Sequence, residues 1–169
     1  MIDAASDSGL LPVHRVVTGH DVQGRAIIAA QDVAPTQMIA SGDASFLTIW
    51  ATQDVPADNN DNRDGRELPT GLTLERGSVI RVVDMLPGGE SPLHRTNSID
   101  YGIVLNGDVE LELEGGVKQT VRAGGIIIQR GTNHLWRNPT DKPCRIVFVL
   151  IEALAYRHDG EALPECKPD

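Results

Sequence analysis

The stretch Tyr101-Gly102-Ile103-Val104-Leu105-Asn106-Gly107-Asp108-Val109-Glu110-Leu111-Glu112-Leu113-Glu114 decides the fold class. Its second half alternates: Val109, Leu111 and Leu113 fall on one side of an extended chain, and Asp108, Glu110, Glu112 and Glu114 on the other. A period of two describes a strand with one face on a core and one in water, so these acids read as a solvated face and not as a metal site. Asn106-Gly107 between the two runs is the short-range signature of a β-hairpin, because both residue types tolerate positive φ.

The same pattern continues on both sides. Ser78 to Met85 reads as a strand ended by Pro87-Gly88-Gly89. Val117 to Arg122, Ile126 to Arg130, Asn133 to Asn138 and Arg145 to Ile151 follow, separated by Gly115-Gly116, Gly124-Gly125 and Asn138-Pro139. Toward the N-terminus, His14 to Asp32 reads as a hairpin around the turn-rich His20 to Gly24, and Ser45 to Thr52 as a further strand. Asp54 to Gly71 is polar and without periodicity, and reads as a mobile, solvated connection in preference to an active-site lid. The only helix expected is a turn or two around Glu152 to His158. With no βαβ rhythm and no internal repeat, the pattern predicts an all-β sandwich or small barrel.

A chain of 169 residues buries a core without disulfides or metals, and residues 1–169 are expected to form one domain. The formal net charge of −9 leaves no basic face for phosphates, which excludes nucleic acid and disfavours an anionic membrane surface. Aromatic residues make up 4%, too few for platforms that stack bases or sugars. Met1 to Asp7 has neither the basic segment nor the apolar run of a secretory signal, and Ile146 to Leu150 is too short to span a bilayer. Cys144 and Cys166 lack zinc-ligand spacing. The simplest expectation is a reduced, cytoplasmic protein whose partner is a small molecule.

Of the five histidines, His14, His20 and His158 read as surface residues, whereas His94 and His134 keep more suggestive company. In an extended segment His94, Thr96, Ser98 and Asp100 share one face, as do His134, Trp136 and Asn138 in a later strand. Two imidazoles and a carboxylate brought together can hold a divalent metal on three positions. Without metal, the same groups can act as general acid and base. A third reading is a buried His and Asp that merely satisfy each other. Trp136 is a candidate wall of the pocket, with core packing as the other reading. Arg81, inside the apolar run Val79 to Val83, would either pair with a substrate carboxylate in the barrel or face outward or into an internal salt bridge, and the second is favoured because buried unpaired arginine is costly.

The segment His94-Arg95-Thr96-Asn97-Ser98-Ile99-Asp100-Tyr101-Gly102-Ile103-Val104-Leu105-Asn106-Gly107 resembles the first motif of the cupin superfamily, and Gly131-Thr132-Asn133-His134-Leu135-Trp136-Arg137-Asn138 the second. The motifs lie at about 88–107 and 124–138, and more narrowly resemble small single-domain cupins of bacteria and fungi, in fungi often of secondary-metabolite pathways. The resemblance implies an antiparallel jelly-roll β-barrel, here with extra N-terminal strands, and a homodimer. It also implies a ligand set of His, His, Glu and His, from which this chain departs. His94 matches the first ligand and His134 the last, Thr96 stands at the second His, Asp100 at the Glu, and Gln129 replaces the motif's proline.

Three functional expectations follow. The leading one is a small-molecule enzyme of the lyase or isomerase type (dehydration, decarboxylation or cyclisation). In it His94 or His134 moves a proton, and Asp100 sets the tautomer of a neighbouring His, with or without a divalent metal (Fe, Zn or Mn) on His94, Asp100 and His134. In the same scheme Thr96, Trp136 and Arg81 contact the substrate. The second is an Fe(II)-dependent dioxygenase on the same three residues, and the third a non-catalytic binding barrel.

Overall fold

The computed structural model describes residues 12–34, 37–71 and 76–167. The expectation about Met1 to Asp7 lies outside the described residues. The chain divides into two compact units, Met1–Thr36 and Gln37–Asp169, where the sequence reading has one domain.

The first unit contains the expected hairpin. Strands β1 (His14–His20) and β2 (Ala26–Val33) pair antiparallel, with a bulge between Val17 and Thr18. Asp21 closes the turn, its carboxylate accepting the backbone N–H of Gln23 and of Arg25. Arg15 grips Asp32 through two parallel bonds of 3.0 and 2.7 Å.

The second unit is built almost entirely of strands. They are β3 (Gln37–Met38), β4 (Ala44–Thr52), β5 (Ser78–Met85), β6 (Ser98–Asn106), β7 (Asp108–Leu113), β8 (Lys118–Arg122), β9 (Ile126–Arg130), β10 (His134–Arg137), β11 (Cys144–Glu152), β12 (Arg157–His158) and β13 (Glu161–Ala162). They form a six-stranded sheet in the order β3-β4-β5-β11-β6-β9, a three-stranded sheet in the order β10-β7-β8, and a two-stranded β12-β13 ribbon. All pairings are antiparallel. The core brings both larger sheets together, with Val79, Val83, Val104, Ile127, Ile146, Phe148 and Leu150 from one and Val109 and Trp136 from the other. No helix among the described residues is long and apolar enough to cross a membrane.

Two local expectations are corrected. Asn106-Gly107 does turn the chain, with Gly107 at φ 75°, but β6 and β7 do not pair. The chain leaves one sheet there and enters the other. A Cβ at Gly107 would lie 2.8 Å from the Pro143 carbonyl oxygen and 2.9 Å from Cα of Cys144, so glycine lets this corner press against the start of β11. The helix expected around Glu152 to His158 is absent: β11 runs to Glu152, and Arg157-His158 opens the β12-β13 ribbon.

The polar stretch 54–71 is also more closely held than its composition suggests. It contains a short 3₁₀ turn, Gly65–Glu67, with Asp64 accepting the N–H of Arg66. Gly65 is buried flat against Trp50, where a Cβ would come within 2.5 Å of the indole. One glycine therefore anchors the connection to β4.

Candidate active site

The segment after Leu86 runs antiparallel beside β10 and delivers the first histidine. Ser91 N–H bonds the Trp136 carbonyl at 2.8 Å, and His94 and His134 exchange both backbone hydrogen bonds at 2.9 Å. Residues that exchange both bonds are directly opposite and point to the same face. The two rings accordingly stand with centroids 4.3 Å apart, and Trp136 meets His134 edge-on at 5.3 Å. Trp136 in turn packs on Phe148 at 5.2 Å, so it serves both readings, core and pocket wall.

The six-stranded sheet supplies the opposite wall. Its inner rows follow from register: Gln129, Asp100 and Leu150 form one, and Ile127, Gly102, Phe148 and Arg81 the next. Gly102 makes room for the Phe148 ring, whose Cε1 would lie 3.0 Å from a Cβ there. Between the walls is a cavity of about 330 Å³, near the lower end for small-molecule sites. Ile39, Phe46, Val83, Met85, Trp136 and Phe148 give it an apolar body, and His94, Thr96, Asp100, His134 and Arg81 converge at a polar end.

All six residues expected from sequence thus line one cavity. Arg81 points inward and is 3% exposed, which removes only the outward-facing half of the favoured reading. Its guanidinium lies over the Phe46 ring at 5.6 Å, and its Nη1 donates to the Gly71 carbonyl. Asn138, placed by spacing on the face of His134, is instead a fully buried clamp away from the cavity.

The imidazoles are fixed by backbone. His94 Nδ1 lies 2.8 Å from the Pro92 carbonyl oxygen, and His134 Nδ1 lies 3.0 Å from that of Thr132. A carbonyl only accepts, so each Nδ1 carries the proton and each neutral ring offers an Nε2 lone pair. The expectation that Asp100 sets a histidine tautomer is therefore corrected, since main-chain carbonyls do so. Burial holds His94 below the usual imidazole range. Burial, and then the neighbouring His94, push His134 down to about 4.

Asp100 is 6% exposed, and burial pushes its carboxyl up to about 6. That rise is opposed by the Ser98 hydroxyl, which donates to Oδ1 at 2.6 Å, by the charge of Arg81, and by Gln129 Nε2, which donates to Oδ2 at 3.3 Å. Gln129 is itself fixed, because its Oε1 accepts from the Thr132 N–H and hydroxyl. Sequence reasoning named Ser98 without a role and Gln129 only as a departure from a motif. The i−2 position of Ser98 is the signal that finds it. The usual order of basicity is inverted here: the carboxylate is a stronger base than His134.

Among the described residues no three His, Cys, Asp or Glu side chains gather into a group able to hold a metal ion. The two imidazoles offer lone pairs, but Asp100 is drawn to Ser98 and Gln129, so the expected two-His-one-carboxylate centre is not assembled by this donor set.

The sequence profile of the family described as Cupin domain matches residues 81–150. A phomopsin biosynthesis cluster protein, C′, of Diaporthe leptostromiformis is 40% identical over 159 residues, covering 89% of this chain and 84% of that protein. The cupin-domain-containing oxidoreductase fogC of Aspergillus ruber is 38% identical over 152 residues, covering 86% and 75%. Among solved structures, the cupin domain of Schizosaccharomyces pombe Cnp3 superposes with a TM-score of 0.53 at 14% identity, covering 82% of this chain and 87% of that one. Relatives matching at this identity over most of both chains, together with a strand order that sets two motif histidines side by side in an internal cavity, show that the chain belongs to the cupin family.

Proposed function

We propose that this protein is a small-molecule enzyme of the lyase or isomerase type, with Asp100 as the proton-transferring group and His94 and His134 as the groups that orient the substrate. The observation that carries the reading is the polar end itself: a buried Asp100 held by Ser98 and Gln129 lines one cavity with two imidazoles whose Nδ1 atoms are fixed by main-chain carbonyls. At neutral pH the carboxylate of Asp100, raised to about 6, is the group best matched to taking and returning a proton, while both imidazoles stay neutral. Asp100 removes a proton from carbon next to a carbonyl, and the electron pair moves onto the carbonyl oxygen as an enolate, with the Arg81 guanidinium on the cavity wall to meet its charge. The proton then returns to another carbon in an isomerisation, or to a departing β-hydroxyl in a dehydration. The apolar body of the cavity keeps bulk water from competing. A second reading, an oxidoreductase, is favoured by similarity to relatives such as the cupin-domain-containing oxidoreductase fogC.

The test is deuterium exchange into an enolisable hydroxyaryl ketone by chelator-treated protein in D₂O, followed by proton NMR. Exchange is expected without added metal, falling about tenfold per pH unit below pH about 6 as Asp100 protonates. Asp100→Asn is expected to lower it by about 10²- to 10⁴-fold. Turnover that appears only with iron and oxygen would support the oxidoreductase reading.

A further inference from the structure

The polar end of the cavity is almost uniform in hydrogen-bonding sense. His94 and His134 each present an Nε2 lone pair, and among the described residues nothing bonds to either atom. Asp100 Oδ1 and Oδ2 each accept one hydrogen bond and keep further lone pairs. Ser98 has one hydroxyl proton and two oxygen neighbours, Asp100 Oδ1 at 2.6 Å and Thr96 Oγ1 at 2.8 Å. Ser98 is the donor toward both, so its single proton serves the carboxylate or Thr96 but not both at once. Three side chains at this end, His94, His134 and Asp100, therefore present acceptors. Arg81 is the exception, and its Nη1 is turned to Gly71.

Charge points the same way. The charged side chains around the cavity are Asp43, Glu90 and Asp100 against Arg81, with Glu90 paired to Arg137. With Glu90 held by Arg137, Asp43 and Asp100 outnumber Arg81 by one negative charge, which disfavours an anionic head.

We propose that the cavity selects a neutral, apolar molecule headed by a hydroxyl donor, a phenol or an enol, whose O–H is taken by the imidazole Nε2 atoms while its body lies among Phe46, Met85, Trp136 and Phe148. The inference rests on the cavity being the substrate site, as in the proton-transfer reading, and it adds the class of ligand. A hydroxyl left without an acceptor, or an acceptor left without a donor, loses a buried hydrogen bond, and that loss produces the discrimination.

The test is calorimetric titration of the chelator-treated full chain near neutral pH with β-naphthol, its methyl ether and β-naphthoate. These three probes share a body and differ in the head. β-Naphthol is expected to bind about tenfold or more tighter than the ether, with β-naphthoate the weakest. His134→Leu should erase the advantage of the naphthol and leave the ether unchanged, and His94→Leu, at the less buried ring, is the second variant. Equal binding of naphthol and ether, tightest binding of the naphthoate, or no saturable binding of the naphthol would each overturn the proposal. The wild-type series decides even if both variants fail to fold. A naphthol preference without deuterium exchange would leave the ligand class standing and remove the proton-transfer reading, so the two fail separately.

Discussion

Asp100→Asn is expected to make the protein more stable at about pH 8 while abolishing its activity. Burial holds the folded-state carboxyl at about 6, against 3.8 for the free group. Below the lower value both states are protonated and nothing is gained or lost. Between the two, the unfolded chain releases its proton and the folded chain keeps it, so stability falls as pH rises. Above about 6 the whole penalty is in place, up to about 3 kcal/mol at about 1.4 kcal/mol per unit. Asparagine removes it but gives up the charge-assisted bonds: its Oδ1 accepts from Gln129 Nε2 and its Nδ2 donates to the Ser98 oxygen, whose proton turns to Thr96. The weaker neutral bonds return about 1 kcal/mol, leaving a net gain of about 2 kcal/mol, roughly 5 °C in Tm for a chain of this size.

His134 acts with the opposite sign. Its folded value is about 4 against 6.5, so across that window the unfolded ring takes up a proton first and stability rises with pH. In the wild type the two slopes oppose each other between about pH 4 and 6. In Asp100→Asn the histidine slope stands alone, and denaturant melts from acid to mildly alkaline pH would show stability climbing with pH. A variant less stable than wild type under alkaline conditions would contradict this account of Asp100.

Asn138→Ala is expected to be the most destabilising single change near the site, at about 4 kcal/mol and roughly 10 °C in Tm. The side chain is fully buried. Its Nδ2 donates to the carbonyls of Lys142 at 2.7 Å, Met85 at 3.0 Å and Leu86 at 3.2 Å, and its Oδ1 accepts the N–H and hydroxyl of Thr140. Alanine removes all of these bonds at once; the Leu86 carbonyl keeps the Gly89 N–H and the Lys142 carbonyl the Thr140 hydroxyl, so the cost falls on the remaining part-buried and buried groups. It also releases the staple between the end of β5 and the exit of β10, the strand that carries His134 and Trp136. Asn138→Asp should fare no better, because a carboxylate cannot donate to the three carbonyls. A loss below about 1 kcal/mol in thermal or chemical melts would show that the clamp is ornamental.

Strand existence was legible because period-two alternation reports burial directly, and Ser78 to Met85 is bounded as expected. Strand pairing was not. Asn106-Gly107 announces positive φ correctly, but the approach of Pro143 and Cys144, remote in sequence, decides that the chain turns a corner between sheets. The tail after Glu152 misleads for a related reason, since polar residues without alternation do not distinguish a short ribbon from a helical turn. Gly65 shows the limit of composition: only contact with Trp50 reveals that a polar stretch is anchored.

In the site, two-residue spacing rightly placed His94, Thr96 and Asp100 on one face. The facing of His94 and His134 depends on a bridge between segments 40 residues apart, which only the motif resemblance anticipated. The apolar walls from Phe46, Met85 and Phe148 look like ordinary core residues in sequence. The cost of burying a cation leaves Arg81 either outward or compensated inside, and only the structure shows it inside, with the charge of Asp100 reducing that cost.

Long-range proton–nitrogen NMR of the histidine side chains reads the central claim most directly, because it reports which ring nitrogen carries hydrogen. At neutral pH both His94 and His134 are expected to be uncharged, protonated at Nδ1 and bare at Nε2. An imidazolium at either position, or a proton on either Nε2, would contradict it.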